Sequence, residues 1–218
     1  MPSIRHADAA ACNEALTSLA AKVPNIRTIF VLAPNGKPIC GSVEMRPGVG
    51  FADRDYFRKA IETKDFVVGN FTRSRISNEP VLPLATPVLE GEVVTAVVVS
   101  GIRLDWLQNR ILERGVRPRQ RGDLADGAGT IVARVPSPER FVGTSIPDDY
   151  RSLVHAEQPG VVDVMSQDGT RRILGYRPMS ATVRCTSALV SRPPRPSRRS
   201  SGRRSTTRSV SAWARSLP

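Results

Sequence analysis

The sequence is poor in the residues that carry covalent or metal chemistry. Its 218 residues include two His and three Cys. Cys12, Cys40 and Cys185 are scattered and His6 and His155 lie far apart, so no metal-binding spacing is present. There is no H-E-x-x-H, no Walker loop and no G-x-S-x-G, and Gly48-Val49-Gly50 lacks the third glycine of a dinucleotide fingerprint. Two acid pairs, Asp53 with Asp55 and Asp148 with Asp149, stand where helices should begin. Capping and the helix dipole account for them better than acid–base catalysis. The expectation is a protein without a catalytic residue, a metal or a cofactor.

Long apolar runs are also missing. The longest nearly apolar stretch, Val93 to Val99, falls far short of the ~20 residues that span a bilayer. The first 21 residues carry Arg5, Asp8, Asn13 and Glu14, which breaks any secretory h-region. Read literally, the chain stays in the cytoplasm.

Acidic residues and lysines are absent from one end. Residues 183–218 hold nine Arg and no Lys, Asp or Glu, so the net charge of +12 divides into +9 there and +3 on residues 1–182. Arg, Ser, Thr and Pro make up 25 of these 36 residues, a composition expected to be disordered. Three accounts of this tail compete. It is an electrostatic arm for nucleic acid or anionic lipid, a solvated extension, or a GC-rich gene read in a shifted frame. The first would make the protein a basic adaptor that binds nucleic acid or anionic surfaces through its tail.

What remains is 40% hydrophobic overall, enough to build a core. Residues 7–22 are rich in helix formers and place Ala11, Ala15, Leu16 and Leu19 on one face. Ile26 to Leu32 reads as a strand, Asn35-Gly36 as a tight turn and Pro38 onward as a second strand. Asp53 is placed to cap a helix through RDYFRKAIET. Phe66 to Phe71 reads as a strand, Thr72 to Glu79 as a polar loop, and Val81–Leu89 and Val93–Ile102 as a hairpin closed by Glu90-Gly91-Glu92. Leu104, Leu107, Ile111 and Leu112 mark a further helix. The result is an α+β layer pattern with a largely antiparallel five-stranded sheet. After a basic link at 113–121 the same grammar returns. Asp123–Ala125 and Thr130–Ala133 flank Asp126-Gly127-Ala128-Gly129, Pro136 to Pro138 break the chain, Pro147–His155 forms a short helix, and Val161–Met165 pairs with Arg172–Tyr176.

One constellation stands apart: Asp53-Arg54-Asp55-Tyr56-Phe57, just after a Gly-rich connection. Arg offers a fork for carboxylates or phosphates, and the aromatics offer walls and one hydroxyl. These are the parts of a small-molecule pocket, and equally those of a capped helix with two core aromatics and a surface Arg. Cys12 and Cys40 are similarly open, between a disulfide in an oxidising compartment and two small buried side chains.

The stretch FADRDYFRKAIETKDFVVGNF, then LPLATPV, then VVVSGIRLDWL, resembles the first module of a double Cache domain. GTIVARVPSPERFVGTSIP followed by DGTRRILGYRPM is similar to that family's second module, and PNGKPICGS to its opening hairpin. These are PAS-like extracytoplasmic sensors of histidine kinases, diguanylate cyclases and chemoreceptors. The resemblance implies tandem modules, each a mainly antiparallel sheet flanked by helices. They would run as an N-terminal helix (1–24), a membrane-distal module (25–112), a second, incomplete module (113–182) and the tail (183–218). It implies that Asp53, Arg54, Tyr56 and Phe57, with Phe71, Arg73 and Thr86 from neighbouring positions, line a pocket for a small molecule. Further Tyr, Trp and Asp positions of the family's amino-acid signature find no match, so the ligand class stays open, an anion among the candidates. A periplasmic setting is implied too, and with it a Cys12–Cys40 disulfide. The intact receptor would be a homodimer, anchored by transmembrane helices that this chain lacks, with no specific nucleic-acid partner. The match stops near Thr182, where a last strand of the second module should follow.

Overall fold

The computed structural model describes residues 9–113, 121–165, 171–178 and 186–191. Helix α1 (Ala9–Lys22) leads into β1 (Ile26–Leu32) and β2 (Pro38–Gly41). Then come α2 (Asp55–Thr63), the short strands β3 (Val67–Val68) and β4 (Thr72–Arg73), the long hairpin β5 (Pro80–Glu90) and β6 (Val93–Arg103), and α3 (Leu104–Glu113). The first sheet runs β2-β1-β6-β5-β3, with β4 also paired to β5, and each of its pairings is antiparallel.

Ile29 to Leu32 of β1 read as an unbroken apolar run because both faces of the strand are covered there. Ile29 and Val31 face one way, against Cys12 and Leu16 of α1. Phe30 and Leu32 face the other way, against Tyr56, Phe57 and Ala60 of α2. In β6, Ala96 joins the α1 side while Val97 and Val99 join the α2 side, as the period of two requires.

Helix α1 is tied to β2 by polar bonds as well. Gly41 N–H donates to Asn13 Oδ1 at 2.8 Å, and Thr17 Oγ1 donates to the Ser42 carbonyl at 3.2 Å. Ser42 Oγ accepts from Ile29 N–H at 2.9 Å, so one serine links helix, strand and the end of the hairpin. Cys12 and Cys40, 3% and 2% exposed, form a disulfide within this patch, with their Cα atoms 6.0 Å apart.

Several sequence expectations need correction. Asp53 does not cap α2; Arg54 occupies the cap position, and no side chain bonds there. The strand expected over 66–71 shrinks to β3, although Gly69 N–H still donates to the Pro83 carbonyl of β5 at 2.8 Å. The loop expected from Thr72 begins with β4, so the sheet has six strands rather than five. The Pro136–Pro138 break holds a short helix, α4 (Pro138–Phe141), with proline in its first turn where no N–H is needed.

The second half contributes β7 (Arg121–Ala125), β8 (Ile131–Val135), α4, a 3-10 turn at Asp148–Tyr150 with α5 (Arg151–Val154), β9 (Gly160–Met165) and β10 (Arg171–Pro178). Its last strand, β11 (Thr186–Ser191), lies inside the region that composition assigned to the tail. The sheet order is β8-β7-β11-β10-β9, with β11 antiparallel to both neighbours. The second sheet is therefore not missing its final strand. The Thr-Ser-Ala-Leu-Val-Ser stretch has the β-branched and apolar content a strand needs, and the arginines around it masked this. The disorder expected of the tail beyond Ser191, and Cys185, lie outside the described residues.

The two sheets meet through an apolar cluster and one carboxylate. Leu82 and Leu104 of the first half pack with Val132 of β8, and Phe71, Leu107, Leu124 and Val142 surround them. Asp126, in the β7–β8 turn, is completely buried. Its Oδ1 accepts from Ala128 N–H and Thr130 N–H at 2.9 and 2.8 Å, closing its own turn. Its Oδ2 accepts from Phe71 N–H at 2.6 Å, across the boundary.

Two outcomes are expected. Asp126→Ala strands three backbone donors and costs about 3 kcal/mol in chemical unfolding, given the ~1–3 kcal/mol that each unsatisfied buried group can cost; an unchanged midpoint would refute the role. Non-reducing mass spectrometry of protein exported to an oxidising compartment shows Cys12 bonded to Cys40. Reducing that bond, which spans 28 residues, costs roughly 3–4 kcal/mol by chain entropy; two free thiols would refute the pairing.

Candidate functional site

Between the start of α2 and the β5–β6 hairpin lies a small recess. Phe30, Phe51, Val81, Pro83 and Val99 give it apolar walls. Phe30 and Phe51 stand 6.0 Å apart, ring centre to ring centre, at a tilt of 32°. Polar atoms come from Thr28, Tyr56, Thr72, Ser74 and Ser100. Three arginines, Arg54, Arg73 and Arg75, crowd its mouth. The free volume is about 30 Å³, room for a water or two when one water needs ~10–15 Å³.

Backbone geometry makes the recess. The Asn35-Gly36 turn puts Gly36 at φ +77°, and its carbonyl accepts from Phe51 N–H at 2.9 Å. A Cβ on Gly36 would sit 2.4 Å from the Ala52 nitrogen, so only glycine lets this turn hold Phe51 in place. Gly69 does the same for Tyr56. A Cβ there would fall 2.8 Å from the Tyr56 Cβ and 2.7 Å from Pro83.

The arginines are held at the mouth by unequal means. Arg54 Nη1 donates to Thr72 Oγ1 at 2.8 Å, and its Nη2 reaches the Arg73 carbonyl at 3.4 Å. Its Nε is buried without a hydrogen-bond partner, and no carboxylate pairs with it among the described residues. Arg73 donates to the Asn78 carbonyl at 3.0 Å. Arg75 bonds the Gly50 carbonyl and pairs with Asp53, joining the two loops that rim the recess. Asp53 thus bonds one guanidinium group, that of Arg75, and feels the charge of a second, Arg54. The bond from Arg75 holds the Asp53 carboxyl below its ordinary pKa. Burial pushes the Tyr56 hydroxyl up, with the Arg54 and Arg75 charges pulling against it, so it remains a neutral donor.

Of the residues expected to form a pocket, Arg54, Tyr56 and Arg73 line this recess and Asp53 sits on its rim. The other three do not line it. Phe57 is 2% exposed in the core under α2. Phe71 packs at the boundary between the sheets. Thr86 follows Ala85 on β5 and is exposed on the opposite face from Val81, Pro83 and Ala85, because side chains alternate along a strand. Sequence reasoning missed Thr28, Phe51, Thr72, Ser74, Arg75 and Ser100. The Thr72-Arg73-Ser74-Arg75 run carried a usable signal, two arginines among hydroxyls in a loop that otherwise had no purpose.

A sequence profile of the Cache domain family matches residues 2–191. The chain belongs to the Cache domain family. Among solved structures, the Cache fold here is similar to the extracellular domain of a candidate histidine kinase, rpHK1S-Z16, with a TM-score of 0.71 and 22% identity over 84% of this chain and 77% of that one. It is also similar to the ligand-binding domain of the Pseudomonas aeruginosa PAO1 amino acid chemoreceptor PctB in complex with L-Arg (TM-score 0.67, 15% identity, 86% and 80% covered). A third is the ligand-binding domain of the Pseudomonas fluorescens chemoreceptor CtaA in complex with L-isoleucine (TM-score 0.62, 17% identity, 85% and 79% covered). A curated relative, sporulation kinase D of Bacillus subtilis strain 168, is 34% identical over 89 residues, which is 40% of this chain and 18% of that kinase. Cache domains of this kind are ligand-binding sensor domains of signal-transduction receptors. Among the described residues no helix is long and apolar enough to cross a membrane, and no His, Cys, Asp or Glu cluster is set to hold a metal.

The Asp53–Arg75 bridge carries a pH prediction. A depressed carboxyl pKa in the folded state means the contact stabilises at neutral pH and is lost as pH falls through that lowered value. Wild type should exceed Asp53→Asn in thermal midpoint at pH 7, and the two should converge well below pH ~4, with a gap under about 1 kcal/mol because the pair is exposed. A constant gap across that range would refute the bridge.

Proposed function

We propose that this chain is the sensing part of a bacterial membrane receptor, and that its first module binds a small molecule in the recess between α2 and the β5–β6 hairpin. The observation that carries the reading is chemical asymmetry. Apolar walls face a mouth with three arginines and one carboxylate, so an anionic or partly anionic molecule is attracted and then oriented. The kinase and chemoreceptor domains of similar fold support it.

The module works by binding rather than by catalysis. Closure of the 47–54 and 72–79 loops over the ligand changes how α2 sits on the sheet. The same sheet carries α1 on its other face, so a ligand that favours one packing of the sheet also favours one position of α1. In the receptor, α1 pairs with its counterpart in a homodimer, and the second module lies between the sensor and the membrane. The disulfide-bonded α1–β2 patch fits a periplasmic location.

A thermal-shift screen of the full chain tests the reading, with amino acids, carboxylates, polyamines and purines as probes. A ligand at 100 times its Kd adds ~2.7 kcal/mol. For a chain of this size that raises Tm by roughly 5–10 °C at ~2–4 °C per kcal/mol. Arg54→Ala should abolish the shift and Tyr56→Phe should reduce it. A shift that survives Arg54→Ala places the binding site elsewhere.

A further inference from the structure

We propose that Asp126, a residue of the second half, positions Arg54 at the recess of the first half, so that the recess is complete only when the two halves are docked. Its functional meaning rests on the reading of the recess as the ligand site; the positioning itself rests on bond geometry.

Arg54 is placed by a short segment of chain. It stands at the N-cap of α2 with an extended backbone, φ −77° and ψ 128°, and its side chain caps nothing. Among the described residues both hydrogen bonds of its guanidinium go to residues 72–73. Nη1 donates to Thr72 Oγ1 at 2.8 Å, and Nη2 to the Arg73 carbonyl at 3.4 Å. Where this segment lies, Arg54 lies.

Its own sheet holds the segment lightly. Strand β4 is two residues long and pairs with β5 alone, Thr72 opposite Val81 and Arg73 opposite Pro80. Proline has no N–H to give to such a pairing. On the preceding side Asn70 is exposed, and the next backbone bond back is that of Gly69 to the Pro83 carbonyl.

The second half supplies the missing anchor. Phe71 N–H donates to Asp126 Oδ2 at 2.6 Å, and the carboxylate is completely buried. A charged acceptor makes this roughly twice as strong as a neutral bond. Oδ1 is held by Ala128 N–H and Thr130 N–H, so Oδ2 cannot swing away without breaking the turn. The Phe71 ring also lies against Gly143 of the second half, where a Cβ would stand 3.0 Å from Cζ. With Phe71 fixed at its N–H and its ring, only its own φ and ψ separate it from the peptide unit of Thr72. Asp126 is not among the residues that line the recess, so it acts through the chain rather than on a bound molecule.

Phenylglyoxal, which modifies guanidinium groups, tests this on the full chain. The rate at Arg54 is read by mass spectrometry, with Arg171, whose side chain is 72% exposed, as internal standard. Asp126→Asn keeps an oxygen for the turn and aims an amide N–H at Phe71 N–H, which breaks only the bond across the boundary. Asp126→Ser, which can close the turn but not reach Phe71, takes its place if that variant does not fold. Thr72→Val removes the last link of the same route. Each should raise the Arg54 rate about fivefold, as expected for one lost hydrogen bond. The double variant should react no faster than Thr72→Val, since both changes cut one route. The Phe71 amide proton resonance should move upfield in the Asp126 variant and stay in place in Thr72→Val. Val132→Ala loosens the same boundary with the Asp126 bond intact, and should leave the Arg54 rate unchanged. An Arg54 rate unmoved by the Asp126 variant, an equal rise in Val132→Ala, or effects that multiply in the double variant would overturn the proposal and leave the recess as the site. A ligand found to bind elsewhere would overturn the recess as the site and leave these rates as they are.

Discussion

The carboxylate of Asp126 joins the two halves of the molecule. It is completely buried, and it stays there because three backbone N–H groups surround it, two in its own turn and one at Phe71. Burying an ionised group costs several kcal/mol unless its lone pairs are filled, so the carboxylate and its donors specify each other. The β7–β8 turn has one productive conformation, and the chain at Phe71 has one productive place to dock. The apolar contacts of Leu82, Leu104 and Val132 supply area at this boundary, and Asp126 supplies the register. The effect reaches the recess, because Phe71 immediately precedes Thr72, whose hydroxyl holds Arg54.

The first sheet is covered on both sides. A strand with Val31 fully buried on the α1 face and Leu32 fully buried on the α2 face leaves no slack between the helices. Side chains of one strand thus support α1 on one face and α2 on the other. The bonds of Asn13 and Thr17 tie α1 to β2 and to the residue that follows it.

Much of this was legible in the residues. Asn35-Gly36 fixed the first turn, the spacing of Tyr56, Phe57 and Ala60 gave α2, and Glu90-Gly91-Glu92 gave the long hairpin. The ordered succession of weak motifs pointed to the Cache family, to which the chain belongs. What failed depended on partners distant in sequence. Asp53 looked like a helix cap because capping is local, whereas its actual partner, Arg75, is 22 residues away. Phe71 looked like a pocket residue because nothing near it announced Asp126, 55 residues on. Thr86 was one residue out of phase with the wall it was meant to join. Strand β11 was hidden by composition, since a short strand among arginines, serines and prolines contributes little to any average.

The position of β11 gives the two sheets different histories during synthesis. By Arg103 every strand of the first sheet has been synthesised, and each pairs only with strands of the same half. The second sheet is then made as two separate hairpins, β7–β8 and β9–β10, with nothing between them. Its middle strand is its last, and at ~5–20 residues per second the β7 edge waits several seconds for a partner that is more than 60 residues away. Until Ser191 is added, the half of the protein that carries Asp126 has open edges at β7 and β10 as well as at β8 and β9, so the nascent chain passes through a stage in which the first sheet is complete and the second is not.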